Sequence, residues 1–473
     1  MMEMIPWQTS DTIRRSGRRL TAPFQIRCAD GETISISRLL RVLPGKRLSG
    51  EGYWRNRRVL AKLFVSRSSN RHWKREQHGL SLLHDAGLPT PEIVGAGHLD
   101  KGGHYLLTVF FDNAKTLFAY PSAPETTMPG NTQVTDVLRR VFALFGRLHG
   151  AELIHADPHP NNFLDHGDAL LLIDGDGVKR MQGAAREQDR QTVNNMAQLI
   201  SRLPLSCESY LDEMLAAYGT QQIDRKDLLQ ATEKERARYL RQLLGKTMRD
   251  CTQFTVQHTF YRFSSVVRRE EELLTPLLVA PDAAIAAGVI LKDNNSITVA
   301  RSNINNREVV IKRYNLKNLP HVLSRCYRPS RAWQAAHRLC FYGIPTPAPL
   351  AMIEERLGPL RRRAFLITEF CPGNNLLHEL PPEGEPDTTM AAAIISLFNL
   401  LFRLRITHGN LEATNFLWHN ERLILIDLDA MIQHKGDAAF ARFWRRDRAR
   451  FLRNWPAGST LHRWLDAHLP EAR

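Results

Sequence analysis

At 473 residues the chain is longer than one ordinary hydrophobic core organises, and it accommodates two domains. Its composition, 43% hydrophobic and 24% charged, excludes a disordered chain. The net charge of +15 calls for a polyanionic neighbour: nucleic acid, an anionic membrane face or a phosphorylated substrate. The arginines, however, lie in scattered clusters at 14–19, 55–58, 361–363 and 445–450. No helix-turn-helix, zinc-finger or RNP signature accompanies them, so nucleic acid is not the expected partner. No run approaches the roughly 18 apolar residues that cross a bilayer, and the N-terminus lacks the apolar stretch of a signal peptide. A cytoplasmic location is therefore expected. The six cysteines (28, 207, 251, 326, 340, 371) show no CxxC pair and read as reduced thiols.

Taken in chain order, the predicted elements occur twice. "VLAKLF" (59–64) is a β-branched and aromatic run carrying Lys62, and a helical stretch over 70–87 follows it, ended by Gly and then Pro. After the turn "GLPTP" come a strand and polar hinge (104–113), a long amphipathic helix (134–150), the loop "LIHADPHPNNFLD" (153–165) and the strand "ALLLIDGDGV" (169–178). A charge-rich helix over 225–251 closes the unit. The same series then returns: "VVIKRY" (309–314) with Lys312, a helix over 329–343, "GIPTP", a strand over 364–375 and a helix over 388–404. The loop "ITHGNLEATNFLW" (406–418) and "RLILIDLDAM" (422–431) complete it. Landmarks repeated in one order mark an internal duplication. The expected division is 1–255 and 256–473.

Phosphoryl transfer from ATP needs few parts: a lysine on the phosphates, a helical glutamate holding it, a carboxylate at the acceptor hydroxyl, and an asparagine and aspartate for Mg²⁺. The pattern H-x-D-x-x-x-x-N, followed by a strand ending in Asp, carries three of these on one stretch. The first copy supplies His155, Asp157, Asn162 and Asp174, with Lys62 upstream and Glu76 as its natural helical partner. Singly each residue is ordinary, since a strand lysine or a helix glutamate is usually solvated; the spacing of the set carries the reading. "LPGKRLSGEGYW" (43–54) offers Gly45, Gly50 and Gly52 either as a phosphate-binding loop or as a plain hairpin turn. The second copy keeps Lys312, His408, Asn415 and Asp427. It has Asn410 where the first has Asp157, Ala332 where the first has Glu76, and no glycine in the segment 290–309. An amide cannot accept a proton as a carboxylate does, so this copy reads as degenerate. Asn415 and Asp427 remain as candidate ligands for Mg²⁺, and Lys312 for nucleotide.

Both halves resemble the bacterial lipopolysaccharide kinases of the Kdo/heptose type, within the protein-kinase-like superfamily. The resemblance rests on "RLHGAELIHADPHPNNFL" and "LLLIDGDG" in the first half, and on "VVIKRYN", "GIPTPAPLA", "HGNLEATNFL" and "LILIDLDA" in the second. It implies an α+β fold of two tandem bilobal domains, each with a small β-rich lobe and a helical lobe. It further implies ATP and Mg²⁺ as cofactors and transfer of a phosphoryl group to a sugar hydroxyl of the lipopolysaccharide core on lipid A. The work would be done at the anionic cytoplasmic face of the inner membrane, which suits a basic protein. The loop of such families typically reads HGDxxxxN, so Asn410 is a departure. "FARFWRRDRARFLRNW" (440–455) is expected either as a core helix or, less readily, as a membrane-surface helix. Three rivals remain. The loop "HADPHPNN" also resembles that of the quinone-biosynthesis kinases, but their Lys-x-Gly-Gln motif is missing. Small-molecule phosphotransferases of the aminoglycoside type share the loop. A two-domain pseudokinase scaffold is the non-enzymatic alternative.

Overall fold

The computed structural model describes residues 5–117, 132–167, 169–219, 223–315, 328–358 and 360–472, and Cys326 lies outside them. The chain forms two compact units, Met1–Tyr239 and Leu240–Arg473. The charge-rich stretch after residue 225 is a helix, Arg225–Lys246, and the division falls within it.

In the first unit, strands β1 (Phe24–Arg27), β2 (Thr33–Leu43), β3 (Arg47–Trp54), β4 (Arg57–Phe64), β5 (Ile93–His98) and β6 (His104–Val109) form one sheet. Their order is β1-β2-β3-β4-β6-β5, antiparallel throughout. Side chains alternate across a strand, so Val59, Ala61 and Leu63 of β4 enter one core with Ile26, Ile34 and Leu107. Lys62 consequently faces the other way, toward the helix Ser69–Asp85. The helical lobe is built on Thr132–Gly150, whose Val141, Phe142, Phe145 and Leu148 recur at helical spacing and share a core with the helices Ala185–Ile200 and Leu211–Tyr218. Short strands β7 (Lys115–Thr116), β8 (Leu153–His155), β9 (Phe163–His166), β10 (Ala169–Leu172) and β11 (Val178–Arg180) frame the loop between the lobes.

The second unit repeats this plan. Strands β12 (Phe254–His258), β13 (Arg262–Val267), β14 (Val289–Asp293), β15 (Ile297–Ile304), β16 (Arg307–Tyr314), β17 (Pro349–Leu357) and β18 (Leu360–Glu369) pair in the order β12-β13-β17-β18-β16-β15-β14. Lys312 on β16 stands opposite Leu366 of β18, as Lys62 on β4 stands opposite Leu106 of β6. The units differ at their sheet edges: β1 extends the first sheet beside β2, whereas β12 and β13 extend the second beside β17.

The repeated Gly-x-Pro-Thr-Pro segment has a structural task. Gly87 and Gly343 adopt left-handed φ values of 65° and 73° at the ends of the helices Ser69–Asp85 and Arg328–Tyr342, a conformation that a side chain resists. The chain then turns onto the strand that precedes Asp174 in the first copy and Asp427 in the second. Thr90 Oγ1 donates to Leu172 O at 2.9 Å, and Leu172 N–H donates to Pro89 O at 2.9 Å. Thr346 Oγ1 and Leu425 N–H make the equivalent bonds, at 2.8 and 2.9 Å. Each turn thereby fixes the height of the strand that ends in Asp174 or Asp427.

The helix Asp437–Leu452 is a core helix. Phe440, Trp444 and Phe451 are buried, with Trp455 just beyond it, and they pack against Phe398, Phe402 and Phe416. The indole N–H groups of Trp444 and Trp455 donate to Pro470 O and Leu380 O, both at 2.9 Å. These side chains are spent on the fold, which removes the membrane-surface reading of this segment.

Candidate active site

In the first unit the strand, helix and loop bring Lys62, Glu76, Asp157, Asn162 and Asp174 to one cleft. The Lys62 ammonium is ion-paired with Glu76 Oε1, donates to Ile173 O at 3.3 Å and lies 3.8 Å from Asp174 Oδ1. Burial alone would depress the Lys62 ammonium, but the charges of Glu76 and Asp174 outweigh it and hold the lysine protonated. Asp174 is half-buried, and Lys62 and His155 keep its carboxyl well below the usual carboxylate range. Glu76 is completely buried, and the Gly175 N–H donates to its Oε1 at 3.1 Å.

Two glycines make this closeness possible. A Cβ on Gly79 would sit 1.9 Å from Gly175 O, and one on Gly175 would sit 2.3 Å from Glu76 O. The helix backbone therefore rests directly on the segment after Asp174, a fit that the sequence "IDGDG" permits. The second unit has Leu428 after its aspartate.

His155 organises the loop. Its Nε2 lies 2.9 Å from Asp174 O, and the Asp157 N–H donates to its Nδ1 at 3.3 Å. Those partners fit a neutral ring protonated on Nε2, and burial lowers its pKa in the same sense. Asn162 Nδ2 donates to Asp157 O at 3.3 Å, and Ile173 N–H donates to Asn162 O at 2.9 Å. Asp157 itself projects outward, with 71% of its side chain exposed. It has room for an acceptor on its open side.

Several participants carry no signal in the motifs. Arg202, just after the helix Ala185–Ile200, pairs with Asp157 Oδ1, donates to Pro158 O at 3.1 Å and stacks over Tyr239. Asn195 holds the loop from behind, its Nδ2 donating to His155 O at 2.7 Å. Arg47 lies 3.7 Å from both Glu76 Oε2 and Asp176 Oδ2. These residues come from distant stretches, and only folding brings them together. Asp176 was findable, because an aspartate recurs two positions after Asp174 and after Asp427.

The glycine reading needs correction. Gly50 and Gly52 lie inside β3, not in a loop, and a Cβ there would approach Ile36 Cγ2 at 2.9 Å and Ser35 O at 2.1 Å. Crowding against β2 explains both glycines. The hairpin turn lies at 44–46, with Gly45 at a φ of 67°.

Glu76 Oε2 and Asp174 Oδ1 are buried without hydrogen-bond partners. Their nearest cations are Arg47, 3.7 Å from Glu76 Oε2, and Lys62, 3.8 Å from Asp174 Oδ1, and the hydrogen-bond capacity left on Asp174 beside a kinase-spaced asparagine suits a hard divalent cation. Among the described residues no group of three or more His, Cys, Asp or Glu forms a metal site by itself. Mg²⁺ in general is held by one or two protein carboxylates together with substrate phosphates and needs no such group.

The second unit keeps the loop and rearranges the charges. Asn415 Nδ2 donates to Asn410 O at 2.8 Å, and Ile426 N–H donates to Asn415 O at 3.0 Å, as in the first unit. Arg450 donates to Asn410 Oδ1, so the amide oxygen receives an arginine as Asp157 does. Asp447 occupies the supporting role of Asn195 and accepts from the His408 N–H at 2.6 Å. Ala332, however, is buried and carries no charge, and Lys312 turns to Asp427 at 2.5 Å and Asp429 at 2.9 Å. Asp427 adopts a left-handed φ of 61°, unlike Asp174. The candidate metal ligand of this unit is thus the partner of its own lysine.

A lysine–glutamate pair, an exposed loop aspartate and a half-buried aspartate at this spacing define a phosphotransferase of the protein-kinase-like class. The sequence profile described as the Lipopolysaccharide kinase (Kdo/WaaP) family matches residues 45–231 and 299–454, well over half of the chain. The chain belongs to that family, in two copies, and is a kinase. Among solved structures it is similar to one described as WaaP in complex with acyl carrier protein. The identity is 18%, covering 42% of this chain and 88% of that one, with a TM-score of 0.34. No curated protein matches. Among the described residues no helix is long and apolar enough to cross a membrane.

Proposed function

We propose that the first unit transfers the γ-phosphoryl group of ATP to a heptose or Kdo hydroxyl of the lipopolysaccharide core, and that the second unit binds or regulates without chemistry. The intact charge set around Lys62, against the rearranged set around Lys312, carries this reading. Lys62, fixed by Glu76, binds the nucleotide phosphates. Asp157 accepts a hydrogen bond from the acceptor hydroxyl and takes its proton as the new O–P bond forms and the bond to the ADP leaving group breaks. Asn162 and Asp174 would hold Mg²⁺, which offsets charge on the phosphates when bound. Lys312, Asn415 and Asp427 are the candidate nucleotide contacts of the second unit, once Lys312 releases the aspartate. An acceptor attached to lipid A places the protein peripherally on the anionic cytoplasmic face of the inner membrane.

The test is incubation of the purified chain with ATP, Mg²⁺ and delipidated core oligosaccharide, followed by mass spectrometry. One added phosphate on a heptose or Kdo residue is expected. ATP turnover with no phosphate on the saccharide would overturn the acceptor assignment.

A further inference from the structure

Four large apolar side chains stand in solvent at one end of the second unit's sheet: Phe260 (60% exposed), Tyr261 (68%), Leu357 (48%) and Leu360 (58%). They belong to two adjacent turns, one between β12 and β13 and one between β17 and β18. The turns are stitched together: Arg356 N–H donates to Tyr261 O at 2.7 Å, and Gly358 N–H donates to Phe260 O at 2.9 Å. A Cβ on Gly358 would lie 3.0 Å from the Phe260 ring, so the glycine lets that ring rest on the neighbouring turn. Phe260 and Tyr261 meet edge to face at 5.1 Å. Backbone bonds therefore hold Phe260 and Tyr261 against Arg356 and Gly358.

Its surroundings are basic. The flanking sequence contributes Arg262, Arg356, Arg361, Arg362 and Arg363 against Glu354 and Glu355. Arg356 pairs with Glu354 at 2.6 Å, Arg363 pairs with Glu355 at 3.0 Å and Asp282 at 2.9 Å, and Arg262 donates to Leu278 O. Arg362 is exposed. Two short turns are far smaller than the roughly 800 Å² per partner of a stable protein interface. Aromatic and leucine side chains at a tip beside an exposed arginine match the headgroup boundary of an anionic bilayer.

We propose that this double-turn tip is a membrane anchor, placing Phe260, Tyr261, Leu357 and Leu360 at the boundary between headgroups and acyl chains while the exposed Arg362 meets anionic headgroups. Its purpose rests on the lipid-linked acceptor of the proposed function, but the surface stands independently of the phosphotransfer chemistry. The experiment is co-sedimentation of the intact chain with phosphatidylcholine vesicles, with and without phosphatidylglycerol. The chain is expected to pellet with the anionic vesicles. The triple variant F260S/Y261S/L360S loses partitioning about tenfold, and R362E weakens binding to the anionic vesicles. Both variants keep wild-type activity on lipid-free core oligosaccharide, which separates this surface from the acceptor assignment. Wild-type chain that ignores anionic vesicles, or a folded triple variant that binds them as well as wild type, would overturn the proposal. So would a change in oligomeric state with vesicle binding intact, because the tip would then serve self-association.

Discussion

Asp157 and Asn410 occupy the same place in two loops, and the side-chain oxygen of each accepts a hydrogen bond from an arginine contributed by a later segment. Asparagine there keeps an acceptor for the arginine but has no carboxylate, so the second loop retains its form without the proposed base. Arg202 is a positioning residue for Asp157, itself steadied by Pro158 O and Tyr239. Replacing Arg202 by alanine is expected to lower kcat about tenfold while leaving KM for ATP unchanged, with partial recovery in R202K. Steady-state kinetics with both substrates measure this. A parallel rise in KM for ATP would show that Arg202 serves nucleotide binding. Lysine 312 shows the converse economy: with alanine at position 332, the helix offers it no carboxylate, and it pairs with Asp427 and Asp429. Burial opposes its charge, but those two aspartates hold it protonated.

Elements that carry the repeat were legible because hydrophobic period and punctuation agree. The strand around Lys62, the helix that follows and the glycine stop before Pro-Thr-Pro all lie where the sequence places them. What the pattern cannot show is why a glycine is present. Gly50 and Gly52 suggest a phosphate loop, but the sheet requires them because β2 passes too close for a Cβ. Supporting residues were hidden for a related reason: Asn195 and Asp447 sit on helices rich in polar residues, and only the fold shows that these two turn inward to the loop. The same helical layer contains a pH liability. His149 lies between Asn195 Oδ1 at 3.1 Å and Tyr218 Oη at 2.8 Å, and burial lowers its pKa from 6.5 to about 4. Because the folded value is the lower one, the histidine costs nothing above pH 6.5, and stability is lost as pH falls from 6.5 toward 4. The loss is expected to reach about 3 kcal/mol at pH 4. Thermal unfolding across that range tests it: H149Q should flatten the acid limb of the first unit, whereas an unchanged slope would assign the loss elsewhere.

At the scale of the whole molecule, duplication has yielded two units of one plan with different charge arrangements. The first retains Lys62 on Glu76 with Asp174 ionised nearby; the second has its lysine on the aspartate that would otherwise meet a cation. That contrast was half-readable, since Asn410 and Ala332 announce it, while the re-pairing of Lys312 depends on Asp429 and on the left-handed backbone at Asp427. The aromatic residues tell a similar story. The sequence draws attention to the Arg- and Trp-rich segment at 440–455, whose rings fill a core, while Phe260 and Tyr261 in a short turn stand in solvent. Division of labour between the units is the central claim, and phosphate transfer to core oligosaccharide by two full-length variants tests it most directly. D157N is expected to lower the rate about a thousandfold, the scale of a lost general base, and N410A to leave it within about twofold of wild type. Loss of activity in N410A with retention in D157N would place the chemistry in the second unit and contradict the account.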